Sequence, residues 1–441
     1  MSDPYIAAVY LAILIAGIAA PFVATLGYVW VDLSYPQLLS IYLAGKPVAL
    51  VMGGLAVFGY LFADRRAPPR LNTVTVLTVL MAGWVTLTCT WAVAPQDVVW
   101  QKWDWAFKSV LFSAFIPYVI RSRVRIEAFL QVFVFSLAIH IVAGGLKTLA
   151  SGGGGYGTAF SVIRGNSGLF EGSTIGAVAI MIIPILFALK RQSILFPWPR
   201  LSSAVYLGYA ATCLLGAIGT FARTAMVGLG LLALGTVVQK RRRLGALAGV
   251  LAALLIVSQF APTAWFSRMQ TTDTYESDQS ANARVLVWKW TLNFAMDHPL
   301  GGGFQTFYID KITLPNGTTL NGVAFHNAYA EVLGEHGWVG LALFIGALAF
   351  AVRNLRRVRR EAARVEELLW CYEVSGALLV SFLVLAGCSM FIGIAFQPLF
   401  WYLFAISTCL SEYLHRYTVE QASDIPRSDP VTLPIPFPQR G

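Results

Sequence analysis

Twelve apolar runs, each of roughly twenty residues, constrain this chain more than any other feature of its sequence. A helix of that length crosses the hydrocarbon core of a bilayer, where every backbone polar group must find a partner inside its own segment. Only 12% of the residues are charged, against about 25% in an ordinary soluble domain. The sequence therefore predicts an all-α polytopic membrane protein with about 12 transmembrane helices. The runs lie near residues 6–26, 47–63, 72–92, 106–120, 126–149, 172–189, 203–220, 222–239, 244–260, 327–352, 371–392 and 395–414.

Basic clusters follow the even-numbered runs, such as DRRAPPR after the second and KRRR after the eighth. Because Lys and Arg collect in cytoplasmic loops, this alternation predicts that both termini lie in the cytoplasm. Most of the net charge of +10 is then explained by topology, and nucleic-acid binding is not expected. Ten basic residues break the alternation, namely Lys46, Lys102, Lys108, Lys147, Arg164, Arg223, Arg268, Arg284, Lys289 and Lys311.

The runs and the charges together predict four parts of the chain. Residues 1–260 carry nine transmembrane helices with short loops, apart from a glycine-rich loop at 150–171, and residues 261–326 form one large loop on the outer side that contains short helices. Residues 327–414 carry the last three transmembrane helices, and residues 415–441 form a cytoplasmic tail that is rich in Pro and Ser and expected to be disordered. The five cysteines lie within apolar runs without paired spacing, which indicates small buried residues.

Four of the outlying cations are candidates for holding an anion. Arg223 lies in the tight turn between the seventh and eighth runs, where a snorkelling interfacial arginine is the alternative. Arg284 begins a helix of the large loop and shares a face with Trp288, although a solvated surface charge would give the same pattern. Arg164 and Lys46 are weaker members of this set. A guanidinium group binds phosphate through two hydrogen bonds and stays charged.

His326 stands where the large loop ends and the tenth run begins. Because an imidazole titrates near neutral pH, His326 is a candidate to accept a proton from a hydroxyl group, and the alternative is a structural histidine. Glu331 and Glu335 are candidates to orient the ring, and Asn327 is a candidate substrate contact. The other four histidines are interpreted as structural. No metal or nucleotide motif is present, so no cofactor is expected.

One outer face with cations, a histidine and tryptophans suits an anionic, lipid-linked substrate. The cations would hold a pyrophosphate group, grooves between the helices would take a hydrocarbon tail, and an aromatic ring such as that of Trp288 would stack on a sugar.

Three stretches of this sequence resemble the O-antigen ligase family, within the group that also holds O-antigen polymerases and bacterial O-linked oligosaccharyltransferases. They are TFARTAMVGLGLLAL at 220–234, ARVLVWKWTLNFAMDHPLGGGFQTF at 283–307 and FHNAYAEVLGEHGWVGLALF at 325–344. The segment that contains Arg284 is also similar to ligase-like proteins associated with exosortase systems.

The resemblance implies a GT-C-like fold in the bacterial inner membrane, with the active site facing the periplasm. It implies transfer of a glycan from undecaprenyl pyrophosphate to a hydroxyl group of lipid A–core, with inversion and without a metal. His326 matches the family's catalytic histidine, and Arg223 and Arg284 match its essential arginines. The partners would be the donor, the acceptor and membrane lipids. An O-antigen polymerase, an O-linked oligosaccharyltransferase and a transporter of lipid-linked anions remain alternatives.

Overall fold

The computed structural model describes residues 4–63, 68–151, 171–239, 279–315 and 317–423. Helices make up most of this part of the chain. In chain order they are α1 (Pro4–Ala19), α2 (Pro21–Ser34), α3 (Pro36–Leu39), α4 (Val48–Phe62), α5 (Thr73–Thr88), α6 (Gln96–Val119), α7 (Arg123–Ser151), α8 (Gly172–Gln192), α9 (Pro199–Gly219), α10 (Arg223–Gln239), α11 (Gln279–Asp297), α12 (Ala328–Ala362), α13 (Leu369–Cys388) and α14 (Pro398–Ser423).

Within the described residues, six helical segments are long and apolar enough to cross a membrane. They are Thr73–Trp91, Arg123–Ala150, Gly172–Gln192, Pro199–Gly219, Ala328–Ala362 and Glu366–Cys388. The helices α1, α4 and α10 are apolar but shorter. The prediction of a helical membrane protein is therefore confirmed. The number of spans stays a prediction, and the ninth run at 244–260 lies outside the described residues.

The first apolar run, predicted as one span over 6–26, is divided in the structure. Helix α1 ends at Ala19, Ala20 is extended, and α2 starts with Pro21. Proline suits the first position of a helix, because its fixed φ is helical and its missing N–H would have no partner there. The two helices pack against each other, so this prediction of a single continuous helix is wrong.

Helix α8 lies at the centre of the bundle, where α7, α9, α10 and α13 pack around it. Nearly all of its apolar residues are buried, which is expected of a helix that is hydrophobic on every side. Its first turns contain small residues such as Gly176, Ala177 and Ala179, which let neighbouring backbones approach closely. The core thus holds α8 in place, and with it the residue that precedes it, Glu171.

The described part of the large loop contains more regular structure than the short helices predicted for it. Helix α11 has 19 residues. Two strands, β1 (Lys311–Thr313) and β2 (Thr319–Asn321), form an antiparallel hairpin in which Ile312 pairs with Leu320. The C-terminal boundary also differs from the prediction, because α14 continues to Ser423 rather than ending near residue 414. The rest of the predicted tail lies outside the described residues.

Helix α12 is kinked at Gly337, which adopts φ 65° and ψ −166°. Glycine occupies this region without the strain that a side chain would cause. The loop at residues 299–303 inserts into the kink, and Gly301 there also has a positive φ and no room for a Cβ atom. Three backbone hydrogen bonds join the two segments: Gly302 N–H to Gly334 (3.0 Å), Gly303 N–H to Glu335 (2.7 Å) and Trp338 N–H to Pro299 (3.0 Å). The large loop is thereby locked onto the helix that follows His326.

Candidate active site

The backbone of His326 adopts a left-handed conformation, with φ 46°. Only a few per cent of residues other than glycine have a positive φ, although histidine does so more often than most. Such conformations cost free energy and are retained where the surroundings enforce them, often at functional sites. The backbone on either side of His326 should therefore be firmly held.

Hydrogen bonds hold the chain on both sides of His326. Before it, the indole N–H of Trp288 on α11 donates to the carbonyl oxygen of Phe325 at 2.8 Å. After it, Asn327 caps α12, since its Oδ1 accepts the N–H groups of Tyr329 (2.9 Å) and Ala330 (3.1 Å). The N–H of Ala328 donates to the carbonyl oxygen of Ser389, just past the end of α13, at 2.8 Å.

Packing beneath Phe325 adds to this support. Its ring is buried in a small apolar cluster with Val287 of α11 and Ile312 of β1. An edge of the ring also lies against α12 at Gly334, where an added Cβ atom would lie 3.0 Å from its Cζ atom. Glycine at this position is therefore a consequence of the close approach of Phe325 to α12. The hairpin, α11 and α12 together set the place of the histidine.

The His326 ring is half-buried and accepts or donates no hydrogen bond within the described residues. Desolvation lowers the pKa of His326, and the nearby Arg284 guanidinium lowers it further, while the carboxylate of Glu171 raises it. The net direction is downward, so the imidazole is neutral at neutral pH and able to accept a proton. Within the part of the chain that the structure describes, the Nε atom of Arg284 is itself buried without a hydrogen-bond partner. A buried, unsatisfied donor beside a neutral imidazole is suited to an anionic ligand.

Arg223 lies at the same end of the bundle as His326, because the end of α13 contacts both of their segments. The thiol of Cys388, the last residue of α13, lies 3.6 Å from the carbonyl oxygen of Thr224, and the carbonyl oxygen of the following residue, Ser389, accepts the N–H of Ala328. The turn before α10 is tight, with Phe221 at φ 53°, and Arg223 is half-buried as the first residue of α10. Two segments about a hundred residues apart in sequence are therefore anchored at consecutive residues.

The start of α8 completes this group. An added Cβ atom on Gly176 would lie 3.0 Å from the hydroxyl of Thr220 and 3.1 Å from Ala225, so α8 begins directly against the Arg223 turn. This contact explains how Glu171, which precedes α8, comes within electrostatic range of His326. Glu171 is not among the candidate residues that the sequence predicts. The sequence feature that could have indicated Glu171 is a carboxylate immediately before an apolar run, on the side of the membrane where the other candidate residues lie.

The remaining predicted contacts are placed differently. Trp288 and Asn327 are beside His326, but the hydrogen bonds described above give both a structural role, and their contact with substrate stays a prediction. Lys46 is exposed in the turn before α4, and its ammonium group has no ion pair in the described part of the chain. The structure does not bring it into contact with His326 or Arg284. Arg164 lies outside the described residues.

Within the described residues, neither Glu331 nor Glu335 forms a hydrogen bond with the His326 ring. Both bind Lys102 of α6, whose Nζ atom lies 2.7 Å from Glu331 and 2.8 and 2.9 Å from the two oxygens of Glu335. All three side chains are buried. Their spacing of four residues puts both carboxylates on one face of α12, which is what allows a single lysine to bind them.

The carboxylates also hold the two loops that surround the site. The second oxygen of Glu331 accepts the N–H of Ala395 at 3.1 Å, and Glu335 accepts the N–H of Gln305 at 2.8 Å. The neighbouring His336 is fully buried, and its Nδ1 lies 2.7 Å from the hydroxyl of Thr88 on α5. These groups tie α5, α6 and both loops to the first turns of α12, beneath His326.

The fold and this site define a class: a helical membrane protein in which His326 lies in the field of Arg284, and the turn that carries Arg223 packs at the same end of the bundle. Residues 208–345, which include all three, match the sequence profile of a family described as O-antigen ligase. This part of the chain belongs to the O-antigen ligase family. Residues 1–194 match a family of unknown function (DUF5935), and no curated protein matches the chain.

Membership of this family indicates an enzyme of the ligase or polymerase type that acts in O-antigen or glycan processing. Membership also implies, in general, substrates that are lipid-linked glycans and lipid acceptors. The chain is therefore a membrane-embedded glycan-processing protein.

Proposed function

We propose that this protein is an O-antigen ligase of the bacterial inner membrane. It transfers O-antigen polysaccharide from undecaprenyl pyrophosphate to a hydroxyl group of lipid A–core oligosaccharide on the periplasmic side. The observation that carries the proposal is the half-buried His326 with a lowered pKa, in the field of Arg284 and within the O-antigen ligase domain. The basic clusters of the sequence support the periplasmic orientation of this end.

In the proposed reaction, neutral His326 accepts the proton of the acceptor hydroxyl. The oxygen attacks the anomeric carbon of the donor glycan, a new carbon–oxygen bond forms, and the bond from that carbon to the pyrophosphate breaks. The electron pair leaves with the pyrophosphate, and the proton stays on the imidazole until solvent removes it. In-line displacement of this kind inverts the configuration at the anomeric carbon. General-base catalysis typically contributes about 10² to 10⁴ in rate.

The arginines stabilise the leaving group in this proposal. Negative charge grows on the pyrophosphate as the bond breaks, and guanidinium groups aimed at that charge lower the barrier. Arg284 has a buried Nε–H available for this purpose, and Arg223 lies at the same end of the bundle. Arg164 and Lys46 are proposed as further contacts to the donor. The arginines thus supply positive charge that a metal ion would otherwise provide.

Two residues beside the histidine are proposed to contact the sugars. The indole of Trp288 donates its N–H to the backbone, which leaves its ring face to stack on a sugar. The side-chain oxygen of Asn327 is used by the helix cap, so its amide nitrogen is the group that would donate to a glycan hydroxyl.

The test uses purified protein with undecaprenyl-pyrophosphate-linked glycan and lipid A–core. His326→Asn is the informative variant, because asparagine tolerates a positive φ but cannot act as a base. We expect its turnover to fall by about 10² to 10⁴, with normal folding. The matched control is His298→Ala, since His298 is an exposed histidine at the end of α11. It should retain wild-type activity.

The products separate the ligase from its relatives. Glycan attached to lipid A–core supports the proposal. Longer chains that remain on undecaprenyl pyrophosphate would instead show a polymerase, and an active His326→Asn variant would remove His326 from its proposed role.

A further inference from the structure

A groove lies between α10, α12 and α13, at the end of the bundle opposite His326. Helix α12 runs from the site of His326 to this groove. From the kink at Gly337 to Arg356 it advances 19 residues, which is roughly 28 Å at 1.5 Å per residue. That distance is close to the thickness of the hydrocarbon core of a bilayer. The polar end of the groove therefore lies at the level of the lipid headgroups on the other surface.

The walls of the groove are apolar and open towards the surroundings. They are formed by Leu234 and Val238 of α10, Leu348 and Val352 of α12, and Leu383 of α13, around a volume of about 800 Å³. Leu234 and Val238 are 54% and 63% exposed. A volume of this size is in the range of small-molecule binding sites, and its walls match a hydrocarbon chain.

Three arginines line one end of the groove, namely Arg356, Arg359 and Arg360. Their spacing puts them on one face of α12. Arg359 is held in place by α13, because it stacks on the ring of Tyr372 at 4.7 Å and donates to its hydroxyl at 3.2 Å. One of the three guanidinium groups is thus already oriented.

The acidic side chains nearby are bound to other arginines. Glu361 pairs with Arg357 at 2.8 Å, on the other side of α12, and Glu373 pairs with Arg191 at 3.1 Å. In the part of the chain that the structure describes, Arg356 and Arg360 have no carboxylate partner. The bias of basic residues towards the cytoplasm explains their number. It does not require three of them to converge on one apolar groove.

We propose that this groove binds an anionic phospholipid of the cytoplasmic leaflet. The phosphate lies among the three arginines, and an acyl chain lies along Leu234, Leu348 and Leu383. Charge complementarity selects the headgroup, and the length and apolarity of the walls select a lipid over a soluble anion. This site is separate from the proposed active site, and it does not depend on the reaction performed there.

The experiment measures lipid binding to the purified full-length protein by native mass spectrometry. Phosphatidylglycerol is titrated against phosphatidylethanolamine, for wild type and for the double variant Arg356→Gln/Arg360→Gln. We expect the double variant to bind phosphatidylglycerol about 25-fold more weakly than wild type does, because each basic residue beside an anionic headgroup adds to the affinity. The matched control is Arg353→Gln/Arg357→Gln, which removes the same charge from the same helix but outside the groove. It should change affinity by less than about twofold.

A second variant tests the apolar part. Leu383→Trp should also weaken phosphatidylglycerol binding, because a larger ring fills the groove, while leaving the arginines in place. Equal losses in the groove and control double variants would overturn the proposal, since binding would then follow total charge. Equal binding of glycerol phosphate and phosphatidylglycerol, with no effect of Leu383→Trp, would overturn it as well, because only a headgroup would be recognised.

Discussion

Replacing Lys102 with methionine tests the cluster beneath the proposed active site. Lys102 is 8% exposed, and its amine binds three carboxylate oxygens at 2.7, 2.8 and 2.9 Å. Methionine retains most of the side-chain length but removes the charge and the three donors. Two carboxylates, those of Glu331 and Glu335, are then left buried without their cation. Breaking a buried ion pair in this way costs about 3–5 kcal/mol of unfolding free energy.

The structure explains why this loss should not remain local. Glu331 also binds the backbone N–H of Ala395, and Glu335 binds that of Gln305. Lys102 therefore connects α6, α12 and two loops at one point. We expect the variant to lower both stability and turnover, because the loops that it loosens border the proposed active site.

Thermal unfolding can be followed with a thiol-reactive fluorophore, because all five cysteines are buried in the folded protein. With about 2 °C of midpoint shift per kcal/mol, the lower end of the range for domains of 150–250 residues, Lys102→Met should unfold about 6–10 °C below wild type. Lys108→Met is the matched control on the same helix. Lys108 pairs with Asp104 at 2.6 Å, but both side chains are substantially exposed. Such a pair contributes about 0.3–0.5 kcal/mol, so its shift should be about 1 °C or less.

A rescue variant separates lost charge balance from lost packing. Lys102→Met combined with Glu331→Gln and Glu335→Gln removes the uncompensated charges, and its midpoint should recover towards wild type. If Lys102→Met and Lys108→Met unfold at the same temperature, the cluster does not contribute as the distances indicate, and this reasoning is refuted.

Two further predictions concern the backbone and the charge of His326. Trp288→Phe keeps an aromatic ring but removes the hydrogen bond to the carbonyl group before the histidine, so turnover should fall about three- to tenfold. The control Trp290→Phe, on the same helix, should leave turnover unchanged. Equal rates for the two variants in steady-state assays would contradict this role of Trp288. Glu171→Gln removes the group that raises the pKa of His326, so the acid limb of the profile of kcat/KM against pH should move to lower pH. Arg284→Gln removes a group that lowers that pKa, so its residual activity should show the limb at higher pH, and a shift of both variants in one direction would disprove the assignment.

The sequence was informative about the membrane helices because a bilayer imposes a length on every apolar run. It was less informative at the first run, where Pro21 starts a second helix inside a stretch that hydropathy treats as continuous. The chemistry of the candidate residues and the family resemblance indicate a site built from separate segments. Packing against the end of α13 places the segments of Arg223 and His326 at one end of the bundle. No local sequence pattern predicts this packing.

The Lys102 cluster shows most clearly what a sequence alone leaves out. In the sequence, Lys102 is a cation that breaks the charge bias, and Glu331 and Glu335 are carboxylates near His326. Their pairing joins residues more than 220 positions apart, so spacing along the chain gave no reason to connect them.

The kink in α12 connects these features physically. A straight helix starting at Ala328 would keep the carbonyl groups of Gly334 and Glu335 within its own hydrogen bonds. The break at Gly337 releases them to the backbone of the inserted loop, which carries Gln305 to the carboxylate of Glu335. The glycines after Pro299 and the glycine at 337 therefore form one contact between the loop and α12. In the sequence they look like two unrelated features, a turn and the first part of a helix. Because this contact fixes the loop to the helix that begins beside His326, we infer that the glycines position the segments that surround the site and do not contact substrate.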